Sequence, residues 1–262
     1  MLVDTHVHLN HVDLNDWAAI LTRAEEAGVG AFVVVGYDDK SSHLAQLLAG
    51  KDDRIWATVG IHPHEAAAWN EEAAERLAFL ATMGRVVAWG EIGLDFYRDL
   101  SPRPAQFRAY QEQLGLAQRL DLPVVIHCRD AYPETLDVLE THNPAAPVIL
   151  HCFQGTMTDA ERAWARSWFL GIGGAVTFKN QDALREIVRA APPEYLLLET
   201  DAPYLSPVPL RGKYPNEPAR VAYVAEKVAE LRGVSVAEIA ALTSANAGRA
   251  FPLLAATATK AG

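Results

Sequence analysis

Cysteine, cationic residues and long apolar runs are all scarce in this sequence. Only 2 of the 262 residues are cysteine, too few for a disulfide scaffold, so we expect a cytoplasmic protein. No window approaches the roughly 18 apolar residues of a membrane span, and residues 1–6 lack a leader pattern, so we expect no signal peptide and no membrane association. With 23 lysine and arginine residues against 33 acidic ones, the net charge of −10 argues against a protein that wraps nucleic acid by bulk charge.

Short apolar runs alternate with longer helix-forming segments along the whole chain. The runs lie near 2–7, 30–35, 55–61, 86–91, 123–127, 147–151, 168–173 and 195–199. Continuous apolar strands are typical of parallel sheets covered on both faces, and neither a linker nor a G-x-G-x-x-G or P-loop sequence interrupts the pattern. The sequence therefore predicts an α/β protein, a (β/α)8 TIM barrel forming a single domain over 1–252, followed by a frayed tail over 253–262.

Histidines and carboxylates stand where most of these runs end. In a parallel barrel the carboxyl ends of the strands share one face, so these side chains would converge. His-x-His alone is more often structural than metal-binding, but six convergent nitrogen and oxygen ligands exceed the needs of one catalytic zinc and suit two divalent ions with a bridging carboxylate. The six candidate ligands are His6, His8, Glu91, His127, His151 and Asp201.

Seven segments of the chain resemble the TatD family of metal-dependent nucleases. They are 3–9, 59–64, 90–96, 123–131, 151–153, 198–204 and 211–218. The resemblance runs from residue 3 to about residue 250 and departs at Gln154, where the family usually has serine. It implies a (β/α)8 fold and a deoxyribonuclease that trims single-stranded DNA from 3′ to 5′, with nucleic acid as substrate and no obligate protein partner.

The resemblance also implies how two ions would be shared among the ligands. One ion would be held by His6, His8, Glu91 and Asp201, and the second by Glu91, His127 and His151. Imidazole ligands suit Zn²⁺ or Mn²⁺, whereas Mg²⁺ prefers oxygen. Because the resemblance implies that Mg²⁺ supports activity, all three ions remain candidates.

Other residues near these strand ends are predicted to serve catalysis and substrate binding. Asp201 would accept or orient the proton of the attacking water, and His62 would contact phosphate or act as an acid. Alternation along strands places Asp4 below His6 and Glu199 below Asp201, where each would orient a ligand. The expected substrate contacts are His62, His64, Arg129, Arg211 and Lys213.

Two features of the fourth run stay open at this point. Asp95 is expected to lie in a loop beyond the strand, where it either orients a histidine or caps a turn. Alternation puts Trp89 beneath Glu91 and beside Gly60, so that the missing side chain of Gly60 makes room for the indole.

Two functions other than nucleic-acid hydrolysis are also compatible with the ligand pattern. The same activated water would attack an ester or amide carbonyl, as in a D-aminoacyl-tRNA deacylase. The cationic residues near the strand ends argue against this hypothesis. A non-catalytic metal-binding protein is disfavoured because every ligand position is intact.

Overall fold

The computed structural model describes residues 1–252 and 254, over which parallel strands alternate with helices. The strands are β1 (Leu2–Val7), β2 (Val29–Val35), β3 (Ile55–Val59), β4 (Val86–Asp95), β5 (Val124–Arg129), β6 (Val148–Leu150), β7 (Phe169–Ile172) and β8 (Leu196–Leu198). The helices are α1 (Trp17–Glu26), α2 (Asp39–Ala49), α3 (Glu71–Ala81), α4 (Arg103–Arg119), α5 (Tyr132–His142), α6 (Met157–Trp164), α7 (Asp182–Ala190), α8 (Val221–Arg232) and α9 (Val236–Ala250).

The sheet contains eight strands, and their order in the sheet is their order in the chain. Parallel strands that alternate with helices in this way define the (β/α)8 class, so the predicted fold class is confirmed. The extent of the domain stays a prediction, and the predicted frayed tail lies outside the described residues apart from Leu254. Within residues 1–252 and 254, no helix combines the length and apolar character that crossing a bilayer requires.

Local sequence signals explain several of these elements. Helix α2 begins with a capping box in which Asp38 and Ser41 satisfy each other's backbone amides, and α6 begins with the same arrangement of Thr156 and Asp159. Strand β4 is buried along its whole length and β2 along nearly all of it. Burial on both faces accounts for their continuous apolar runs.

Packing divides the described chain into two compact units. The first comprises Met1–Val34 and Cys152–Arg249, and the second comprises Val35–His151 with the described residues after Arg249. In the first unit the end of β1 meets the segment after β8, because the Asp201 amide donates to the His6 carbonyl at 2.9 Å and the His8 amide donates to the Ala202 carbonyl at 2.8 Å. These bonds align the predicted ligands of the two segments.

In the second unit, helix α4 packs against β4 and fixes the direction of Trp89. The buried Trp89 indole donates from Nε1 to Gln113 Oε1 on α4 at 3.2 Å. The prediction that Trp89 lies beneath Glu91 beside Gly60 is therefore wrong. The register of β4 against β5 shifts between Trp89 and Ile92, and Gly90 has a φ of 149°, so simple alternation fails across this bulge.

Candidate functional site

Three of the predicted ligands lie together in the first unit. His6 Nε2 is 3.8 Å and His8 Nε2 is 3.4 Å from the same oxygen, Oδ1 of Asp201. The two histidines are buried, and their rings meet edge to face with centroids 5.0 Å apart. Alternation along β1 explains why both rings reach one carboxylate.

The two carboxylates predicted to lie below these ligands bind backbone amides of the same unit. Asp4 Oδ1 accepts hydrogen bonds from the amides of Thr200 at 2.9 Å and His6 at 3.4 Å. Burial raises the pKa of Asp4 to about 8, although the hydrogen bonds from Thr200 act in the opposite direction. Glu199 Oε1 accepts from the Cys152 amide at 2.5 Å. Asp4 thus holds the backbone beside two predicted ligands, while Glu199 holds the segment after β6.

Glu91 is the centre of a second cluster, formed within the second unit. Its Oε1 lies 2.8 Å from His127 Nδ1, 2.8 Å from His151 Nε2 and 3.5 Å from His62 Nε2. His127 lies in β5 and His151 directly follows β6, and these two strands pair in register. The structure therefore brings together four residues that the sequence had singled out.

The donor atoms of this second cluster fit a divalent ion. His127 Nδ1 and His151 Nε2 are 3.5 Å apart, and each is 2.8 Å from Glu91 Oε1. Metal–ligand bonds of about 2.1 Å place neighbouring ligand atoms about 3.0–3.4 Å apart, close to these three separations. The geometric requirement for holding a metal ion is met by His62, Glu91 and His127 in this unit. It is also met by His6, His8 and Asp201 in the first unit.

Burial and mutual contacts shift the protonation of the second cluster. Burial alone would raise the pKa of Glu91, but the imidazoles of His151, His62 and His127 hold it well below its usual range. Burial and the neighbouring His127 lower the pKa of His62 well below its usual range. Against the effect of burial, hydrogen bonds to Asp95 and Glu91 raise the pKa of His127. A carboxylate surrounded by imidazoles is thus kept ionised.

Asp95 lies inside β4, so the expectation of a loop position is wrong. It pairs with Arg129 of β5 in the strand register, because β4 runs on past Glu91 beyond the apolar run that marked it in the sequence. The contacts of Asp95 fit both of the roles left open for it. Its Oδ2 is 3.0 Å from His127 Nε2 and 3.0 Å from His64 Nε2, and its Oδ1 accepts from the Arg98 amide at 2.7 Å.

Of the predicted substrate contacts, Arg129, Arg211 and Lys213 are exposed, whereas His62 is buried and His64 is partly buried. The Arg129 guanidinium stacks 3.8 Å from the Tyr97 ring centroid, and the Arg211 guanidinium lies 4.3 Å from the Phe178 centroid. The loop that carries Arg211 and Lys213 is fastened by Asn216 Nδ2, which donates to the Thr200 carbonyl at 3.0 Å. Thr200 directly precedes the predicted ligand Asp201.

Two buried glutamines that support the second cluster were missed by the sequence analysis. Gln106 Oε1 accepts from the Asp95 amide at 2.9 Å, and Gln113 Oε1 accepts from the Ile61 amide at 2.8 Å. Both sit on the buried face of α4. Their spacing of seven residues matches two helical turns, so helical periodicity identifies them as polar residues on an apolar face that need buried partners.

Comparison with known proteins points to one family. The model of the TatD related DNase family matches residues 3–252. The chain is 40% identical to an uncharacterized metal-dependent hydrolase, YabD, of Bacillus subtilis, over 96% of this chain and 99% of that protein. It is 41% identical to a protein of Cronobacter sakazakii named 3′-5′ ssDNA/RNA exonuclease TatD, over 90% and 92% of the two chains. The crystal structure of the TatD homologue YJJV of Escherichia coli superposes with a TM-score of 0.90 at 32% identity, covering 96% of this chain and 98% of that one.

Proposed function

The chain belongs to the TatD-related DNase family, and from that premise we propose that it is a metal-dependent exonuclease that trims single-stranded DNA from its 3′ end. The observation that carries the proposal is the Glu91 carboxylate, whose Oε1 lies 2.8 Å from two imidazole nitrogens. The name of the Cronobacter sakazakii relative supports the substrate class and the polarity. The cytoplasmic location and the lack of an obligate protein partner stay predictions.

We propose one divalent ion for each cluster of ligands. His6, His8 and Asp201 would hold one, and Glu91, His127 and His151 would hold the other. That Glu91 bridges the two ions is implied by the family resemblance and stays a prediction. A divalent ion supplies Lewis acidity, which polarises a phosphodiester and acidifies water. Mg²⁺, Mn²⁺ and Zn²⁺ all remain candidates, because the ligands combine imidazoles with carboxylates.

The remaining roles belong to side chains of the chain itself. Asp201 would take the proton of the attacking water or orient that water. His62 Nδ1 accepts from the His64 amide at 3.0 Å, so a neutral His62 carries its proton on Nε2. It would therefore serve as a hydrogen-bond donor to a phosphoryl oxygen rather than as an acid. His64, Arg129, Arg211 and Lys213 would contact the substrate along its backbone.

The test is hydrolysis by metal-stripped protein that is resupplied with one ion at a time. End-labelled single- and double-stranded oligonucleotides, with free or blocked 3′ ends, are compared with ester, lactone and D-aminoacyl-tRNA substrates. We expect stepwise loss of nucleotides from free 3′ ends of single strands, and only with an added ion. Turnover of the carbonyl substrates alone, or undiminished nuclease activity after chelation, would contradict the proposal.

A further inference from the structure

The carboxylate of Asp95 contacts two histidines, His127 and His64. One oxygen, Oδ2, lies 3.0 Å from Nε2 of His127, whose ring reaches Glu91 with its other nitrogen. The same oxygen lies 3.0 Å from Nε2 of His64, on the turn that follows β3. A single buried carboxylate oxygen is therefore shared by a predicted metal ligand and a predicted substrate contact.

The chemistry of the imidazole makes this contact directional. A neutral imidazole has one nitrogen that donates and one that accepts, whereas an ionised carboxylate only accepts. A hydrogen bond to Asp95 therefore requires the proton on Nε2 of each ring. His127 Nδ1 faces a second carboxylate, Glu91 Oε1, at 2.8 Å, so in the metal-free chain both nitrogens of this ring have an acceptor. A divalent ion held by Glu91 would take the place of the Nδ1 proton, and the proton on Nε2 would stay with Asp95.

The carboxylate that sets this direction is itself held in place. The Asp95 side chain is 1% exposed, and its second oxygen accepts from the Arg98 amide at 2.7 Å. Gln106 binds the backbone of Asp95 on both sides, with Oε1 2.9 Å from the amide and Nε2 3.2 Å from the carbonyl. Gln106 thus fixes the backbone of Asp95 and the Arg98 amide holds its second oxygen, so Oδ2 stays aimed at the two rings.

We propose that Asp95 is a positioning residue that fixes the tautomer of both His127 and His64. Through Asp95, His127 presents Nδ1 as the ligand atom for the ion of the second cluster. His64 presents Nδ1 as an acceptor, suited to a hydroxyl or amino group of the substrate rather than to a phosphoryl oxygen. The His127 part rests on the proposed function, because it applies when an ion is bound, whereas the tautomer of His64 is a property of the metal-free chain.

The first measurement is the tautomer of His64 in metal-free protein and of His127 in Zn²⁺-loaded protein, both by ¹⁵N NMR at alkaline pH. In the wild type both rings should carry the proton on Nε2. In Asp95→Asn the side chain keeps one acceptor, which the Arg98 amide requires, and turns its amino group toward the rings. His64 should then shift to the Nδ1-protonated form. A metal-free wild-type His64 protonated on Nδ1 overturns the proposal even if the variant does not fold.

The second measurement is calorimetric titration of the metal-free proteins with Mn²⁺ or Zn²⁺. The binding event of this cluster is the one that His151→Ala removes. Asp95→Asn should weaken that event about 10–100-fold, as expected when the partner of a ligating histidine is lost, and leave the other event unchanged. Asp39→Asn is the matched control, because it removes a carboxylate of the same unit whose ion pair is with Arg76, at 3.0 Å, rather than with either histidine.

The outcomes separate this proposal from the proposed function. If the wild type binds no ion, the proposed function fails and the tautomer of His64 still decides the role of Asp95. If the wild type and Asp95→Asn bind equally well with unchanged tautomers, positioning by Asp95 is overturned and the function is not. Equal weakening of both binding events, together with a lowered melting temperature, would show a merely structural role and also overturn it.

Discussion

Gly60→Ala is a small substitution at a position where backbone from the next strand leaves no room. A Cβ built on Gly60 would lie 2.8 Å from the Gly90 carbonyl carbon and 2.9 Å from the Gly90 Cα. Both are main-chain atoms, which cannot move aside by rotation as a side chain can. Gly90 also precedes Glu91, whose amide would lie 3.1 Å from the new Cβ. The added methyl group therefore presses on the segment that carries the central carboxylate.

The size of the effect follows from two opposing contributions. Replacing glycine by alanine at an unstrained position stabilises a protein by about 0.4–1 kcal/mol through the unfolded state. Overpacking a buried site costs about 1–3 kcal/mol. We expect the second contribution to dominate, because none of the contacting atoms can rotate away. The middle of each range leaves a net loss of about 1.3 kcal/mol. At roughly 2–4 °C per kcal/mol for chains of this size, the melting temperature should fall by about 3–5 °C.

Urea and thermal unfolding of metal-free protein measure this loss directly. Gly84→Ala is the control, because Gly84 is exposed and a Cβ there meets nothing within 4 Å. The control should be as stable as the wild type or slightly more stable, and Gly60→Ala should also bind metal more weakly. Equal urea midpoints for the two variants would refute the reasoning and show that β3 and β4 can separate at little cost.

Three further predictions address the site and its surroundings. Glu91→Gln removes the charge at the centre of three imidazoles, so metal affinity and hydrolysis should each fall more than about 100-fold while circular dichroism stays native; retained turnover in metal-replete buffer would contradict this. Arg211→Ala and Lys213→Ala should each flatten the logarithmic salt dependence of single-strand binding by about 0.7, which Lys51→Ala, on a turn before β3, should not do. The pKa of Asp4 is raised to about 8 from 3.8, so the folded state holds its proton more tightly and stability should fall as the pH rises from about 4 to about 8. Asp4→Asn should remove up to about 1.4 kcal/mol per pH unit of that slope, whereas an unchanged slope in urea unfolding of metal-free protein would show that Asp4 is ionised in the folded state.

The order of strands and helices could be predicted because burial on both faces leaves continuous apolar runs, and these mark β1 at 2–7 with the bounds that the structure has. The end of β4 could not be predicted in this way. Beyond Glu91 the strand contains Gly93 and Asp95, residues that usually signal a turn, and it persists because Asp95 and Gly93 pair with Arg129 and His127 in β5. Pairing between strands is a tertiary interaction, which overrides local preference.

The candidate ligands were accessible from the sequence because they stand at strand ends, where topology alone brings them near one another. The contacts that support these ligands could not be predicted from the sequence. The contacts of Asp95 with two rings and the hydrogen bond that the Trp89 indole donates to Gln113 depend on where α4 packs against β4. Side-chain direction across the bulge at Gly90 also depends on backbone geometry, so alternation pointed Trp89 the wrong way.

The glycines on either side of Glu91 allow its strand to lie close to β5. A Cβ on Gly90 would lie 2.7 Å from the Val125 Cβ, and one on Gly93, where φ is 144°, would collide with the His127 carbonyl oxygen. Without side chains at these two positions, β4 can lie close enough to β5 for Glu91 Oε1 to reach His127 Nδ1 at 2.8 Å. The residues of the segment Gly90–Glu91–Ile92–Gly93 therefore act together. The two glycines allow β4 and β5 to lie close to each other, and this short distance lets Glu91 contact the imidazoles.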